Sequence, residues 1–204
     1  MSKRFALLLG AALALASAQP VIPYDSLMDT RVGIDGFVDN EDGREYPATY
    51  ADKPSGLTVH WGFDDSLIYV GLETKGRGWL AIGFGSPTMD KSNMVVGYYT
   101  DDSTEVMNQF GANHAHARLP QSDTVIREAE IDFDEETGVT TMEFIYPLQF
   151  PTGGALAVTG LAPGGTYDVI LAQNAKSVSL NAKHTNFSVL KVKLADKPKP
   201  KKQE

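Results

Sequence analysis

Between residues 57 and 63, apolar Leu57, Val59, Trp61 and Phe63 alternate with Thr58, His60 and Gly62. A strand sends successive side chains to opposite faces, so this spacing predicts a strand with one face on a core. The pattern recurs. Strands are predicted over residues 67–74, 79–84, 94–100, 104–110, 125–133, 139–146, 167–173 and 187–194. Turn residues separate them, among them Asp64-Asp65, the Gly76 and Gly78 pair, Gly85, and the run from Asp134 to Gly138. No long stretch carries a capped 3.6-residue apolar period. Many short strands with Gly, Asp and Pro turns predict an all-β sandwich in one domain, with no internal repeat. Such folds carry ligands on loops and strand ends. The longer predicted loops are residues 86–93, 111–122, 150–166 and 174–186.

The two ends read differently. Lys3 and Arg4 precede an apolar run over residues 5–16, and Ala16-Ser17-Ala18 offers small residues at −3 and −1 of a cleavage site. Residues 1–18 are therefore expected to be a cleaved signal peptide, with export to the periplasm or the medium. The run is shorter than the roughly 20 residues a membrane span needs, and no later stretch approaches that length. Residues 196–204 alternate Pro and Lys and are expected to form a disordered basic tail. The sandwich is assigned to residues 19–195.

Composition closes several routes. The 204 residues hold 18 Lys+Arg against 26 Asp+Glu, a net charge of −8, and no cysteine. That excludes disulfides, thiolate metal sites, iron–sulfur clusters and thioether-linked haem. An acidic chain is also a poor nucleic-acid binder. The sequence has no Gly-x-Ser-x-Gly elbow, no phosphate-binding Gly-Lys-Ser/Thr loop and no His-Glu-x-x-His helix. The acidic pairs Asp64-Asp65 and Asp101-Asp102 fall in turns, so no catalytic role is assigned.

Four histidines remain: His60, His114, His116 and His184. His60 lies opposite the apolar face of its strand and is expected to face solvent. His114 and His116 stand two apart in a polar segment, where they could share a surface metal, with Met107 as a further donor. The pair of most interest is Met89 and His184. Met89 lies in a polar loop after the apolar strand 79–84, and His184 lies just before the last strand. A thioether and an imidazole are soft, neutral ligands suited to haem iron or copper.

The run Gly78-Trp79-Leu80-Ala81-Ile82-Gly83-Phe84, then Met89, then Ser92-Asn93-Met94-Val95-Val96-Gly97-Tyr98, resembles the DOMON family. The likeness is to its b-type cytochrome branch, which includes the cytochrome domain of cellobiose dehydrogenase. Leu67 to Leu72 matches the family's entry strand, and His184 before the final strand is a second match. Together they span roughly residues 30–195. The segment Ile34-Asp35-Gly36-Phe37, followed by Glu45-Tyr46, is similar to the start of family-9 carbohydrate-binding modules and of ethylbenzene dehydrogenase-type haem subunits.

The resemblance implies an immunoglobulin-like β-sandwich of about nine to eleven antiparallel strands. It further implies a non-covalent haem b with His184 as fifth and Met89 as sixth axial ligand. Trp79, Phe84 and Tyr98 are placed around the pocket by their proximity to Met89. Six-coordinate iron leaves no substrate position, so the expected role is electron transfer to a redox partner protein, free or membrane-associated, and not catalysis. Lys183 is a rival to His184, because the ethylbenzene dehydrogenase-type relatives use a lysine ligand. Met94 is a rival to Met89. The alternative function is a haem-free carbohydrate-binding module with Trp61, Trp79 or tyrosines as stacking platforms. A third is a copper site at His114, His116 and Met107.

Overall fold

A computed structural model describes residues 19–39, 45–113, 115–119, 125–150 and 160–199. In chain order the elements are β1 (Val21–Ile22), α1 (Met28–Arg31), β2 (Ala48–Asp52), β3 (Leu57–Phe63), β4 (Leu67–Lys75) and β5 (Trp79–Phe84). They continue with β6 (Asn93–Tyr99), β7 (Thr104–Ala112), β8 (Ala115–Arg118), β9 (Glu128–Asp134), β10 (Val139–Pro147), β11 (Thr166–Asn174) and β12 (Asn186–Leu194).

Two sheets form a sandwich. One has five strands in the order β2-β3-β4-β10-β9, and the other has seven in the order β1-β12-β11-β5-β6-β7-β8. Pairing within them is antiparallel except for the short β1, which runs parallel to β12. The inner faces meet in one apolar core. Leu57, Val59, Trp61 and Phe63 of β3 face Leu80, Ile82 and Phe84 of β5 and Val169 and Leu171 of β11 in that core. A buried polar link crosses it: the Tyr146 hydroxyl of β10 donates to Asn108 Oδ1 of β7 at 2.8 Å.

All nine predicted strands are present, with ends shifted by a few residues. The largest of the shifts is at β9, which starts at Glu128 and not at 125. Strands β1, β2 and β8 and the one-turn α1 are additional. β8 falls inside the segment read as a loop over 111–122; it is short and mostly exposed, so it carries no apolar alternation to read. Residues 1–18, assigned as a signal peptide, lie outside the described residues, as do His114 and residues 200–204. Residues 196–199 of the predicted tail lie along the body: Lys197 Nζ bonds Asp65 Oδ1 at 2.8 Å and sits over the Tyr24 ring.

The outer face of the five-stranded sheet is covered by the chain's own N-terminal segment. Met28 and Tyr46 pack there with Tyr69 and Ile145, backed by Val32, Ile34 and Val38. Gly62 and Gly71 admit this cover, since a β-carbon on either would meet Met28 Sδ at 2.7 Å or Val38 Cγ2 at 2.9 Å. His60 points into the same layer. It is 5 % exposed, not solvent-facing as its alternation suggested. Its Nδ1 lies 2.9 Å from Thr49 Oγ1 and its Nε2 lies 2.7 Å from Glu73 Oε2. The outer face of the seven-stranded sheet is left for a different use.

Candidate functional site: an apolar cavity on the outer face of the seven-stranded sheet

Period two on β5 divides its residues between two faces. Leu80, Ile82 and Phe84 enter the core, while Trp79 and Ala81 pack on the outer face with Met94, Val96 and Met107. Half-buried Met89, Tyr98, Ile170, Ala172 and Leu180 join this second apolar cluster. A cavity of about 480 Å³ opens on it. That volume lies within the range of roughly 300–1,000 Å³ common for small-molecule and cofactor sites.

Small residues shape the walls. Ala81, Gly83, Ala115, Ala172 and Ala182 all line the cavity. Gly83 is bounded closely: a β-carbon there would run into Ser92 Oγ and would lie 2.7 Å from Ile170 Cγ1 and 2.8 Å from Met94 Cγ. Trp79, 8 % exposed, closes one side. Its indole N–H has no partner among the described residues. The protein thus leaves a buried donor beside the cavity unsatisfied, and such a group costs about 1–3 kcal/mol.

Two loops bring in the functional side chains. The first is the turn between β5 and β6. Ser86 Oγ donates to the Asp90 carbonyl at 2.6 Å and accepts from Thr88 N at 3.2 Å, and Lys91 N bonds Gly111 O at 2.9 Å. These bonds fix the backbone on either side of Met89, whose side chain lines the cavity. The second loop joins β11 to β12 and folds back over the sheet. Trp79 N donates to Ser177 O at 3.1 Å, Asn174 Nδ2 to Lys183 O at 2.8 Å, and Thr185 N to Gln173 O at 2.9 Å. Gly78 is required at this junction, because any β-carbon would overlap the Asn174 carbonyl. Held this way, Leu180 to His184 form one wall.

Met89 and His184 therefore line the same cavity, from loops at opposite ends of β5. Trp79 and the two rivals, Lys183 and Met94, line it as well. Phe84 does not. Its side chain is 1 % exposed on the core side, with its ring 6.0 Å from that of Phe150. Tyr98 packs beside the apolar cluster, and its hydroxyl donates to Glu105 at 3.0 Å, but it is not part of the lining. Proximity in sequence to Met89 placed both residues at the pocket; the pleat sends one to the other side and the strand length carries the other past its rim. Among the sugar platforms considered, Trp61 is 1 % exposed within the core, stacked on Tyr50, and is unavailable to a ligand.

The electrostatics are simple. Among the described residues no Asp or Glu lines the cavity, and Lys183 is the one full charge there. Burial, and secondarily the Lys183 ammonium, hold the His184 imidazole below the usual histidine range. The ring is thus neutral at physiological pH, the form in which imidazole binds metal. The ring packs against that of Phe187 at a tilt of 53°, 4.7 Å between centroids, and Phe187 itself is exposed. Among the described residues no group of three or more His, Cys, Asp or Glu could hold a metal ion unaided. His116, expected on the surface, lines the cavity instead.

A family model, the DOMON domain, matches residues 53–174. The chain belongs to the DOMON domain family. The matched stretch of this DOMON domain includes Trp79, Met89 and His116 and stops before His184. Among solved structures, the cytochrome b domain of pyranose dehydrogenase from Coprinopsis cinerea aligns with a TM-score of 0.55 at 12% identity, over 70% of this chain and 79% of that one. The cytochrome domain of Myriococcum thermophilum cellobiose dehydrogenase aligns at 0.47 with 19% identity, over 74% and 91%. A family 9 carbohydrate binding module from Caldicellulosiruptor kristjanssonii, in complex with glucose, aligns at 0.49 with 11% identity, over 91% and 100%. The first of these shares the DOMON domain's fold. No curated protein matches the chain. No helix among the described residues is long and apolar enough to cross a membrane.

Proposed function

We propose that this DOMON domain binds haem b in the outer-face cavity and serves in electron transfer outside the cytoplasm, not in catalysis. The observation that carries the reading is that Met89 and His184, from loops far apart in sequence, line one apolar cavity of about 480 Å³. The residues fit the group in three respects. The walls are apolar and small, which suits a broad flat macrocycle held by packing. The two donors are a thioether and a neutral imidazole, both able to ligate haem iron. Among the described residues the lining has one cation and no carboxylate, which suits a ligand that carries its own negative groups.

Haem supplies a one-electron iron centre, and a methionine ligand raises its potential. The chain's part is to exclude water, hold the His184 ring neutral and present Met89 on a turn pinned to β7. With Met89 and His184 both holding the iron, no position would be left for a substrate. A sugar site is less well supported, since no carboxylate among the described residues lines the cavity to bind sugar hydroxyls, and Trp61 is inside the core.

The test is an absorption spectrum of the protein made in a haem-sufficient host, or mixed with hemin, before and after dithionite. A sharp Soret band with resolved α and β bands on reduction is expected. His184→Ala should then lose the haem on gel filtration. A spectrum featureless above the protein band, even with added hemin, would remove the haem reading. Undiminished haem in the His184→Ala variant would move the ligand role to Lys183.

A further inference from the structure

We propose that His116 is a third, built-in iron ligand of the cavity, placed to take the coordination position that Met89 vacates. The inference rests on the haem reading above. From the sequence, His116 is read only as a surface donor beside His114, and nothing in the family match assigns it.

Three observations carry it. The first is position. His116 pairs with Gly111 across the β7–β8 hairpin, and Gly111 packs directly on the main chain of Met89. The two side chains therefore leave the backbone at the same end of the cavity, and both line it.

The second is the state of the ring. His116 Nδ1 is hydrogen-bonded to Gln109 Oε1, and Gln109 is 4 % exposed. Gln109 Nε2 donates to Met107 Sδ at 2.9 Å. A thioether can only accept, so the amide nitrogen must face the sulfur and the amide oxygen must face the ring. An amide oxygen can only accept as well, so the proton sits on Nδ1. In the neutral ring that leaves Nε2 with the lone pair.

The third is what this arrangement resembles in chemical terms. A histidine that ligates a metal through one nitrogen characteristically donates the other N–H to a fixed acceptor, which sets the tautomer and the ring plane. Gln109 does this from the interior of β7, and Met107 in turn fixes Gln109. A histidine on an ordinary solvated hairpin needs no buried relay behind it.

An imidazole in place of the thioether would keep the iron low-spin but lower its potential. The domain would then have two ligation states, set by whether the Met89 side chain or His116 holds the iron.

The experiment uses the full chain loaded with hemin and compares wild type, Met89→Leu, His116→Leu and the double variant by absorption and electron paramagnetic resonance. Met89→Leu is close to isosteric and should fold normally, which a thermal melt checks. The expected result is that Met89→Leu loses the sulfur-to-iron charge-transfer band yet stays low-spin, with a bis-imidazole signature. The double variant should become high-spin, and added imidazole should restore its low-spin spectrum. A Met89→Leu protein as high-spin as the double variant, in a wild type that is low-spin, overturns the role of His116 alone. A wild type that takes up no hemin overturns the haem reading together with it.

Discussion

The backbone of Gly111 packs against the carbonyl of Met89 so closely that a β-carbon on Gly111 would overlap the oxygen. Lys91 N donates to Gly111 O at 2.9 Å, and Gly111 N to Ser92 O at 3.1 Å, so the contact is held from both sides. Here the Met89 turn and the end of β7 form one rigid joint. Gly111→Ala must push them apart. Overpacking of this kind costs about 1–3 kcal/mol. Chemical denaturation should show that loss. In the hemin-loaded protein the same substitution should weaken the iron–sulfur charge-transfer band, because Met89 moves with its turn.

Glu143 gives the domain a pH-dependent stability unrelated to any ligand. It is fully buried on β10, where it accepts from the Tyr46 hydroxyl at 2.7 Å and from Gly36 N at 3.1 Å. Burial outweighs these donors and raises its pKa from 4.5 to about 7. Between those values the native chain keeps a proton that the unfolded chain releases, so stability falls as pH rises through the window. Burial raises Glu45 as well, which acts in the same direction. The effect of Glu143 is on the order of 3 kcal/mol. Urea melts of wild type should lose midpoint between pH 5 and 7.5. Glu143→Gln should flatten most of that slope; an unchanged slope would show that the carboxyl ionises freely in the native state.

The strands were legible because each sends one row of side chains into a shared core, and a row of alternate apolar residues is visible at a glance. The outer cavity was legible only through two side chains, Met89 and His184, which are ordinary taken singly and point to a site only through their joint match to the DOMON pattern. What hid the rest was the second face of each strand. On β5 both faces are apolar, so Trp79 and Phe84 look alike in sequence, yet one meets the cavity and the other the core. His116 was hidden for a related reason. Its strand is four residues long and mostly exposed, and its buried partner Gln109 lies across a hairpin that the composition presents as a polar loop. His60 misled for the opposite reason, since nothing local reveals that Met28, Val38 and Tyr46 pack over its sheet face.

That cover makes His60 a structural cross-brace. From β3 it reaches Thr49 of β2 on one side and Glu73 of β4 on the other, beneath the ring of Tyr46 at 5.9 Å. His60→Ala removes both contacts and opens space under Tyr46. Each such hydrogen bond is worth about 0.5–1.5 kcal/mol, and more where the partner is charged. A loss of roughly 2–3 kcal/mol is expected by urea titration, with hemin uptake unchanged because the two faces are on different sheets. Loss of uptake in a protein that remains folded would show that the two sheets are coupled.

Filling the cavity tests it independently of what it binds. Ala172 on β11 is half-buried in the lining, on the opposite side of the sheet from the core residue Leu171. A phenylalanine there has space to enter, so Ala172→Phe should leave the thermal midpoint near that of wild type. It should abolish hemin uptake and any change in Trp79 fluorescence that hemin produces. Gly83→Ala is the contrasting variant. Its β-carbon meets Ile170 and Met94 at 2.7–2.8 Å, so it should cost stability while removing little volume. Weak uptake in the stable Ala172→Phe protein and retained uptake in the less stable Gly83→Ala protein would separate occupancy of the cavity from integrity of the fold. The reverse pattern would place the ligand elsewhere on the domain.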